Sequence, residues 1–136
     1  MWDANRAWSW GLVVVATCAA AACAMPVRQL PISTPLVAAS GRTFLLIQDA
    51  HCAIGTGYSR VLRGGTHWHL FGSIDRGDVY RSSDQVLTVE GYNVHEAYIV
   101  VQGDSLVGFY LPVEKTFTPA SNTVKLITTF QQEETQ

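Results

Sequence analysis

Histidines are the first candidates for chemistry in this sequence, because imidazole nitrogen is a common ligand of transition metals. His67 and His69 lie two residues apart in an apolar segment, and alternate residues of a β-strand point to one face. His95, which precedes Glu96, is the third candidate ligand. The segment that begins at His95 nevertheless lacks the second histidine of an HExxH zinc motif. We therefore predict no metal site and no cofactor, and His67, His69 and His95 remain the metal candidates for a structure to test.

The neighbours expected around these histidines argue against a metal ion. Gly64-Gly65 predicts a tight hairpin turn, because glycine adopts positive φ without strain. In that hairpin Arg60 lies directly across from His69. A fixed guanidinium beside an imidazole pair disfavours a divalent cation by charge repulsion. The simpler interpretation is that Trp68 faces the core while His67 and His69 face solvent.

Nucleophilic catalysis has little support in the sequence. His51 and Cys52 are neighbours in the chain, a spacing that does not orient the imidazole onto the thiol. The GxSxG motif is absent. Carboxylates in residues 75–84 alternate with arginines, which is typical of a solvated loop. We predict that the chain is not an enzyme and that Cys52 is a small buried apolar residue.

Composition limits the class of protein further. The chain has 136 residues, of which 15% are charged, and its formal net charge is −2. That length fits one domain. Its 9 Lys and Arg residues form no cluster, so the sequence predicts no nucleic-acid partner.

The amino-terminal residues have the composition of an export signal. Residues 8–25 carry no charge, and a short apolar stretch at 12–15 is followed by small residues. This pattern is typical of a secretory signal peptide, which we assign to residues 1–22. The alternatives are a weak transmembrane helix or a buried amino-terminal helix.

Two cysteines lie where the apolar run ends. Ala20-Ala21-Ala22-Cys23 resembles the lipobox of bacterial lipoproteins, whose cysteine is diacylated and becomes the first mature residue. Two acyl chains suffice for stable membrane anchoring. The resemblance implies lipid attachment at Cys23, and Ala24 beside it implies the outer membrane, facing the periplasm.

Other fates of this region remain open. Val15-Ala16-Thr17-Cys18 offers a second lipobox-like sequence, and cleavage after Ala24 would leave a soluble periplasmic protein. If Cys23 is not acylated, a Cys23–Cys52 disulfide becomes the main alternative in an oxidising compartment.

The remainder divides into a linker, a domain and a tail. Residues 26–41 hold three of the 5 prolines, which resist both helix and central strand. With Cys23 they predict a lipidated tether over residues 23–41, long enough to hold the domain on the order of 40 Å from the membrane. The domain is predicted over residues 42–130, and residues 131–136 form a polar tail.

The domain has strand composition throughout and no convincing amphipathic helix. Turn residues recur about every ten positions between apolar runs, which predicts an all-β fold, a small antiparallel barrel or sandwich of about six to seven strands. The expected strands are 43–48, 58–63, 66–74, 85–90, 95–102, 105–111 and 123–130.

One predicted hairpin is specific enough to assign a register. A tight turn at Gly103-Asp104 pairs Val101 with Leu106 and continues to Tyr98 opposite Phe109. In this register Ile99 faces Gly108, and Tyr110 lies on the face of Ile99. Both faces are apolar, so the hairpin is predicted to be central and covered on both sides.

Four short segments of the domain resemble one known group of proteins. They are residues 77–80 (GDVY), 84–91 (DQVLTVEG), 94–98 (VHEAY) and 106–114 (LVGFYLPVE). They are similar to a group of small uncharacterised lipoproteins from proteobacteria. The resemblance implies a compartment, and no activity is attached to it.

These observations predict an exported cell-envelope lipoprotein with a binding or assembly role and no catalysis. Its partners are expected to be the membrane, through the amino-terminal lipid, and an unknown envelope protein. The alternative is a soluble periplasmic ligand- or metal-binding module that uses His67, His69 and His95.

Overall fold

A computed structural model of the chain describes residues 25–132. The predicted signal peptide, Cys23 and the last four residues of the predicted tail lie outside this range. Within it, all regular secondary structure is antiparallel β-strand, which confirms the predicted all-β class. The strands are β1 (Val37–Ala38), β2 (Arg42–Leu46), β3 (Ala50–Ala53), β4 (Ser59–Leu62), β5 (His67–Ile74), β6 (Gly77–Ser82), β7 (Thr88–Glu90), β8 (Val94–Glu96), β9 (Tyr98–Gln102), β10 (Ser105–Leu111), β11 (Thr116–Lys125) and β12 (Thr128–Gln132).

One large sheet carries most of these strands. Its order is β11-β10-β9-β6-β5-β2-β12, and β1 adds to β5. β11 and β12 lie at opposite ends of this order, although only Leu126 and Ile127 separate them in the chain. The sheet must therefore coil so that its two ends approach, yet among the described strands the ends do not pair and no closed barrel forms. β3–β4 and β7–β8 form two small separate hairpins.

The turn at Gly103-Asp104 joins β9 to β10 as predicted, but the register changes along the hairpin. Val101 pairs with Leu106, and a bulge at Val107 then shifts the pairing by one residue. The pairs beyond the bulge are Gly108 with Val100, Phe109 with Ile99 and Tyr110 with Tyr98. The predicted pairs beyond Leu106 are therefore wrong, because the extra residue of a bulge reverses the face of every residue after it.

The hairpin is central and buried on both faces, as predicted. The larger apolar cluster lies on the face of Ile99 and Phe109 and includes Phe44 and Trp68. A second cluster on the other face contains Val79, Tyr98, Val100, Tyr110 and Phe117.

The Pro-rich segment that covers the second cluster is not a free tether. Leu30, Ile32 and Leu36 pack against this cluster, and β1 pairs with β5. The prediction that residues 26–41 stand clear of the domain is wrong, because the apolar residues between the prolines bury on the sheet even though proline cannot complete a ladder. We call residues 27–38 the strap.

The prediction of a hairpin at Gly64-Gly65 is also wrong. β4 pairs with β3, so that Arg60 lies opposite Cys52. The backbone N–H of Gly65 donates to the carbonyl of Leu46, and that of Gly64 donates to Asp49 Oδ1. These bonds fold the glycine pair back against β2, and β5 continues from there to pair with β2 and β6.

Four strands lie wholly or mostly outside the segments that the sequence predicted as strands, namely β1, β3, β6 and β11. β6 follows a two-residue turn at Asp75-Arg76 and pairs with both β5 and β9. β11 contains Pro119, which is tolerated because β11 is an edge of the sheet. The strand predicted at 123–130 is divided between β11 and β12, and β12 takes in part of the predicted tail.

Candidate functional site

β5 places His67 and His69 on the sheet face opposite to buried Trp68, as predicted. The ring Nδ1 of His67 lies 2.9 Å from Asp84 Oδ2, which also accepts the backbone N–H of His67 at 2.7 Å. The residue opposite His69 on β6 is Arg81, and on β2 it is Thr43. The guanidinium that sequence reasoning expected across from His69 therefore belongs to Arg81 and not to Arg60.

Each ring nitrogen of His69 has a hydroxyl neighbour. Nδ1 lies 3.0 Å from Thr43 Oγ1, and Nε2 lies 3.3 Å from Ser83 Oγ. A serine beside an imidazole invites comparison with an acyl-transfer site. In such a site a carboxylate on the far nitrogen stabilises the imidazolium, and here a threonine hydroxyl takes that place. The arrangement provides two hydroxyl groups at hydrogen-bond distance from the imidazole.

His95 is held elsewhere in the fold. Its Nδ1 lies 2.6 Å from Glu114 Oε1, and only 10% of its side chain is exposed. This contact connects β8 to the turn between β10 and β11. Across residues 25–132 no three or more His, Cys, Asp or Glu side chains are grouped so that they could hold a metal ion.

Hydrogen bonding lowers the pKa of Asp84. The backbone N–H of His67, and then its ring, hold the pKa of the Asp84 carboxyl below its ordinary value of 3.8. A carboxylate that accepts such bonds is favoured over its protonated form. Asp84 therefore anchors the start of β5 to the segment after β6 as an anion.

A cavity of about 220 Å³ lies beside this polar cluster. Its wall includes Trp68, Ser83, Gln85, Glu96 and Tyr98. The cavity is smaller than the roughly 300–1,000 Å³ of common small-molecule sites. It suits waters or a small polar group more than a cofactor.

Cys52 is buried, as predicted. Its thiol donates a hydrogen bond to the carbonyl of Arg60 at 3.3 Å. Burial raises the pKa of the Cys52 thiol to about 11, against a smaller opposite effect of the Arg60 charge. The thiol form dominates at neutral pH, and this form is a poor nucleophile and a poor metal ligand.

Arg60 has a structural role that sequence reasoning missed. Its guanidinium forms an ion pair with Glu90 at 2.5 Å, and its Nε donates to the carbonyl of Thr88 at 2.9 Å. These bonds join the β3–β4 hairpin to the β7–β8 hairpin. The available signal was a charged residue next to the apolar pair Val61-Leu62 in a short strand, which is consistent with a paired charge.

The end of the sheet at β12 combines an exposed strand edge with an exposed aromatic side chain. β12 pairs with β2 along its full length, and no strand described here covers its other edge. Phe130 is 57% exposed, and its ring packs edge-on against Phe44 at a centroid distance of 6.0 Å. A groove of about 330 Å³ beside it is lined by Gly41, Arg42, Phe130 and Gln131.

The predicted lipid-attachment residue, Cys23, lies outside the described residues, and so does Cys18. Nothing in residues 25–132 is a helix long and apolar enough to span a bilayer. Comparison of the chain with protein-family models, curated proteins and solved structures found no match.

Proposed function

We propose that this chain is an exported, lipid-anchored domain of the cell envelope that binds an extended segment of another envelope protein at the open edge of β12. The observation that carries the proposal is an edge, beside half-exposed Phe130, with which no strand of residues 25–132 pairs. An extended peptide that adds to such an edge gains main-chain hydrogen bonds, and side-chain pockets supply specificity.

The sequence of β12 supports this role. Natural edge strands are usually protected by lysine, proline, bulges or a covering element. β12 reads Thr-Thr-Phe-Gln-Gln, with no charge and no proline, and its pairing with β2 is regular. Ile127, just before the strand, is 44% exposed. An edge with these properties is suited to pairing with another chain.

The groove beside β12 suggests the chemistry of the partner. Phe130 offers an aromatic surface, and Arg42 forms an exposed ion pair with Asp78 at 2.9 Å on the same rim. An added strand would place alternate side chains over Phe130, because side chains in a strand alternate between faces. The partner segment is therefore extended, with an apolar side chain that meets Phe130.

The export and anchoring parts of the proposal rest on the amino-terminal sequence. The small-residue segment before Cys23 supports acylation at that cysteine, and Ala24 supports retention at the outer membrane. The proposed role is binding and includes no catalysis. A soluble periplasmic module with the same β12 surface is the alternative, in which cleavage follows Ala24.

Site-specific photo-crosslinking in intact envelopes tests the binding role. A photoreactive side chain at Phe130 should give one discrete adduct with another envelope protein, and Thr128→Pro, which removes an N–H that points away from β2, should abolish it. The control position is Val113, which is 76% exposed in a turn remote in sequence from β12. The same adduct from both positions, no adduct, or an adduct of two copies of this chain would each overturn the proposed partner.

Membrane fractionation tests the anchor separately. The mature protein should carry acyl mass on Cys23, and Cys23→Ser should release it to the soluble fraction. Release by Cys18→Ser, with retention of the Cys23→Ser variant, would move the anchor to Cys18.

A further inference from the structure

An exposed apolar tip lies at the turn of the β7–β8 hairpin. Tyr92 is 74% exposed and Val94 is 66% exposed. Met25 lies beside this turn, because its carbonyl accepts the backbone N–H of Tyr92 at 2.9 Å, and Met25 is itself 59% exposed. Three exposed apolar side chains therefore share one end of the domain.

Close packing fixes the position of Met25 relative to the hairpin. A Cβ at Gly91 would lie 2.5 Å from the carbonyl oxygen of Met25, so only glycine allows this approach. Val27, two residues on, is buried. The chain thus reaches the domain surface at Met25 and is held from there onward.

The hairpin itself is braced from behind. The Thr56 hydroxyl donates to the carbonyl of Glu90 at 2.7 Å, and the Glu90 carboxylate pairs with Arg60. The tip is consequently a rigid feature of the domain, and its apolar residues are presented outward by the packing beneath them.

The distance along the chain from this tip to the expected anchor is very short. Cys23 precedes Met25 by two residues, which span at most about 7 Å. With the strap packed on the sheet, no slack remains to hold the domain away from the bilayer. An anchor at Cys23, or an uncleaved apolar segment before it, brings the same tip to the membrane.

We infer that the tip formed by Met25, Tyr92 and Val94 contacts the lipid surface, so that the domain sits directly on the membrane in one orientation. This inference rests on the anchoring part of the proposed function and is independent of β12. The occupant follows from chemistry: tyrosine and neighbouring apolar side chains favour the bilayer interface, where the ring enters lipid and the hydroxyl stays wet.

Cysteine accessibility in the membrane-bound full chain tests the inference. Tyr92→Cys is compared with Asp104→Cys, which lies in the exposed turn after the opposite end of β9. Each variant is labelled with a hydrophilic maleimide that does not enter bilayers. The parent chain serves as the blank, because buried Cys52 reacts slowly.

The expected result is that position 92 reacts several-fold more slowly than position 104 on membranes, and that detergent removes the difference. Equal rates in a chain that floats with vesicles would overturn the orientation and leave the anchor intact. A chain that remains in the soluble fraction would overturn the anchor and the orientation together. Thermal melts of both variants exclude unfolding as the source of any difference.

Discussion

Leu30 and Phe117 exchange both of their backbone hydrogen bonds, with N···O distances of 2.7 Å and 3.0 Å. This reciprocal pair fixes the strap to the edge of β11 that does not pair with β10. It explains how residues 26–41, which contain three prolines, become part of the folded domain. Leu30 then adds to the cluster that contains Tyr98, Val100 and Tyr110, and the second apolar face of the sheet is kept from water.

Gly108→Val should destabilise the domain strongly. A Cβ at this position would lie 2.5 Å from both the Phe117 ring and the carbonyl oxygen of Thr118. Because backbone cannot yield as a flexible side chain does, we expect a loss of about 1–3 kcal/mol in the free energy of unfolding. Urea titration or a thermal melt measures it.

His67→Ala is the matched surface control for that experiment. Its side chain is 44% exposed, so its removal should change the free energy of unfolding by less than about 0.5 kcal/mol. A chelator should leave the melting temperature of the parent chain unchanged. A tolerated Gly108→Val would refute the packing of β10 on β11.

Gly91→Ala should loosen the amino-terminal end of the strap. The added methyl group collides with the carbonyl of Met25 and with Val27, so the hydrogen bond from Tyr92 is lost. We expect a loss of about 1–3 kcal/mol and faster hydrogen exchange at Tyr92. Both are measurable by urea titration and by NMR of the amide.

Gly55→Ala provides the control for Gly91→Ala. No atom lies within 4 Å of a Cβ added at Gly55, and its φ is not positive. Alanine has fewer backbone conformations than glycine in the unfolded chain, so it loses less entropy on folding. The free energy of unfolding should therefore stay the same or rise by up to about 1 kcal/mol. Equal losses at both glycines would contradict the close approach of Met25.

Alternation and turn residues were sufficient to predict the class of fold and its central hairpin. Tyr98 to Val101 are apolar on both faces, and this pattern alone indicates a strand covered on both sides. The Val107 bulge was not predictable, because no residue type requires one there. The bulge is favoured by packing between distant parts of the chain, because it puts both Phe109 and Leu111 on the face of the larger cluster.

The other errors also arise from contacts between residues that are distant in sequence. Gly64-Gly65 has the local sequence of a hairpin turn. Its hydrogen bonds to Leu46 and Asp49, however, join residues distant in sequence and cannot be predicted from the local residue pattern. Proline in residues 26–41 indicates absence of regular structure, and it does not indicate absence of packing. The edge of β12 that no described strand covers follows from the order of strands in the sheet, which depends on pairings between segments distant in sequence.

Asp84→Asn should change the acid stability of the domain. The folded pKa of Asp84 is lowered, so the folded state favours the carboxylate, and the unfolded state binds more protons as the pH falls. Its contribution to stability is present above the ordinary pKa of 3.8 and is lost as the pH falls through the folded value. The variant should therefore lose stability less steeply below about pH 4.

His67→Phe distinguishes the source of this effect in the same acid titration. The backbone N–H of His67, which is the larger cause of the lowered pKa, remains in this variant. Most of the steepness should therefore remain as well. A slope in Asp84→Asn equal to that of the parent chain would show that the contact is absent in solution.

The buried thiol of Cys52 gives the last prediction, at the alkaline end. Its folded pKa of about 11 lies above the ordinary 9.0, so the folded state retains the proton where the unfolded state has lost it. Stability is therefore unaffected below about pH 9 and falls as the pH rises towards 11. Cys52→Ser removes this titration, and its stability should decline less over that interval.

The rate of thiol labelling at pH 8 tests whether Cys52 is protonated and buried in the folded chain. The shift lowers the thiolate fraction of the folded chain by about 100-fold relative to the unfolded chain, before burial hinders access further. The signal assigned to Cys52 is the difference between the parent chain and Cys52→Ser. It should emerge only with unfolding in urea. A fast reaction in the native chain would contradict the burial of Cys52. A signal that requires a reductant as well as urea would show that Cys52 forms a disulfide, and loss of that requirement in Cys23→Ser would identify Cys23 as its partner and overturn the lipid anchor there.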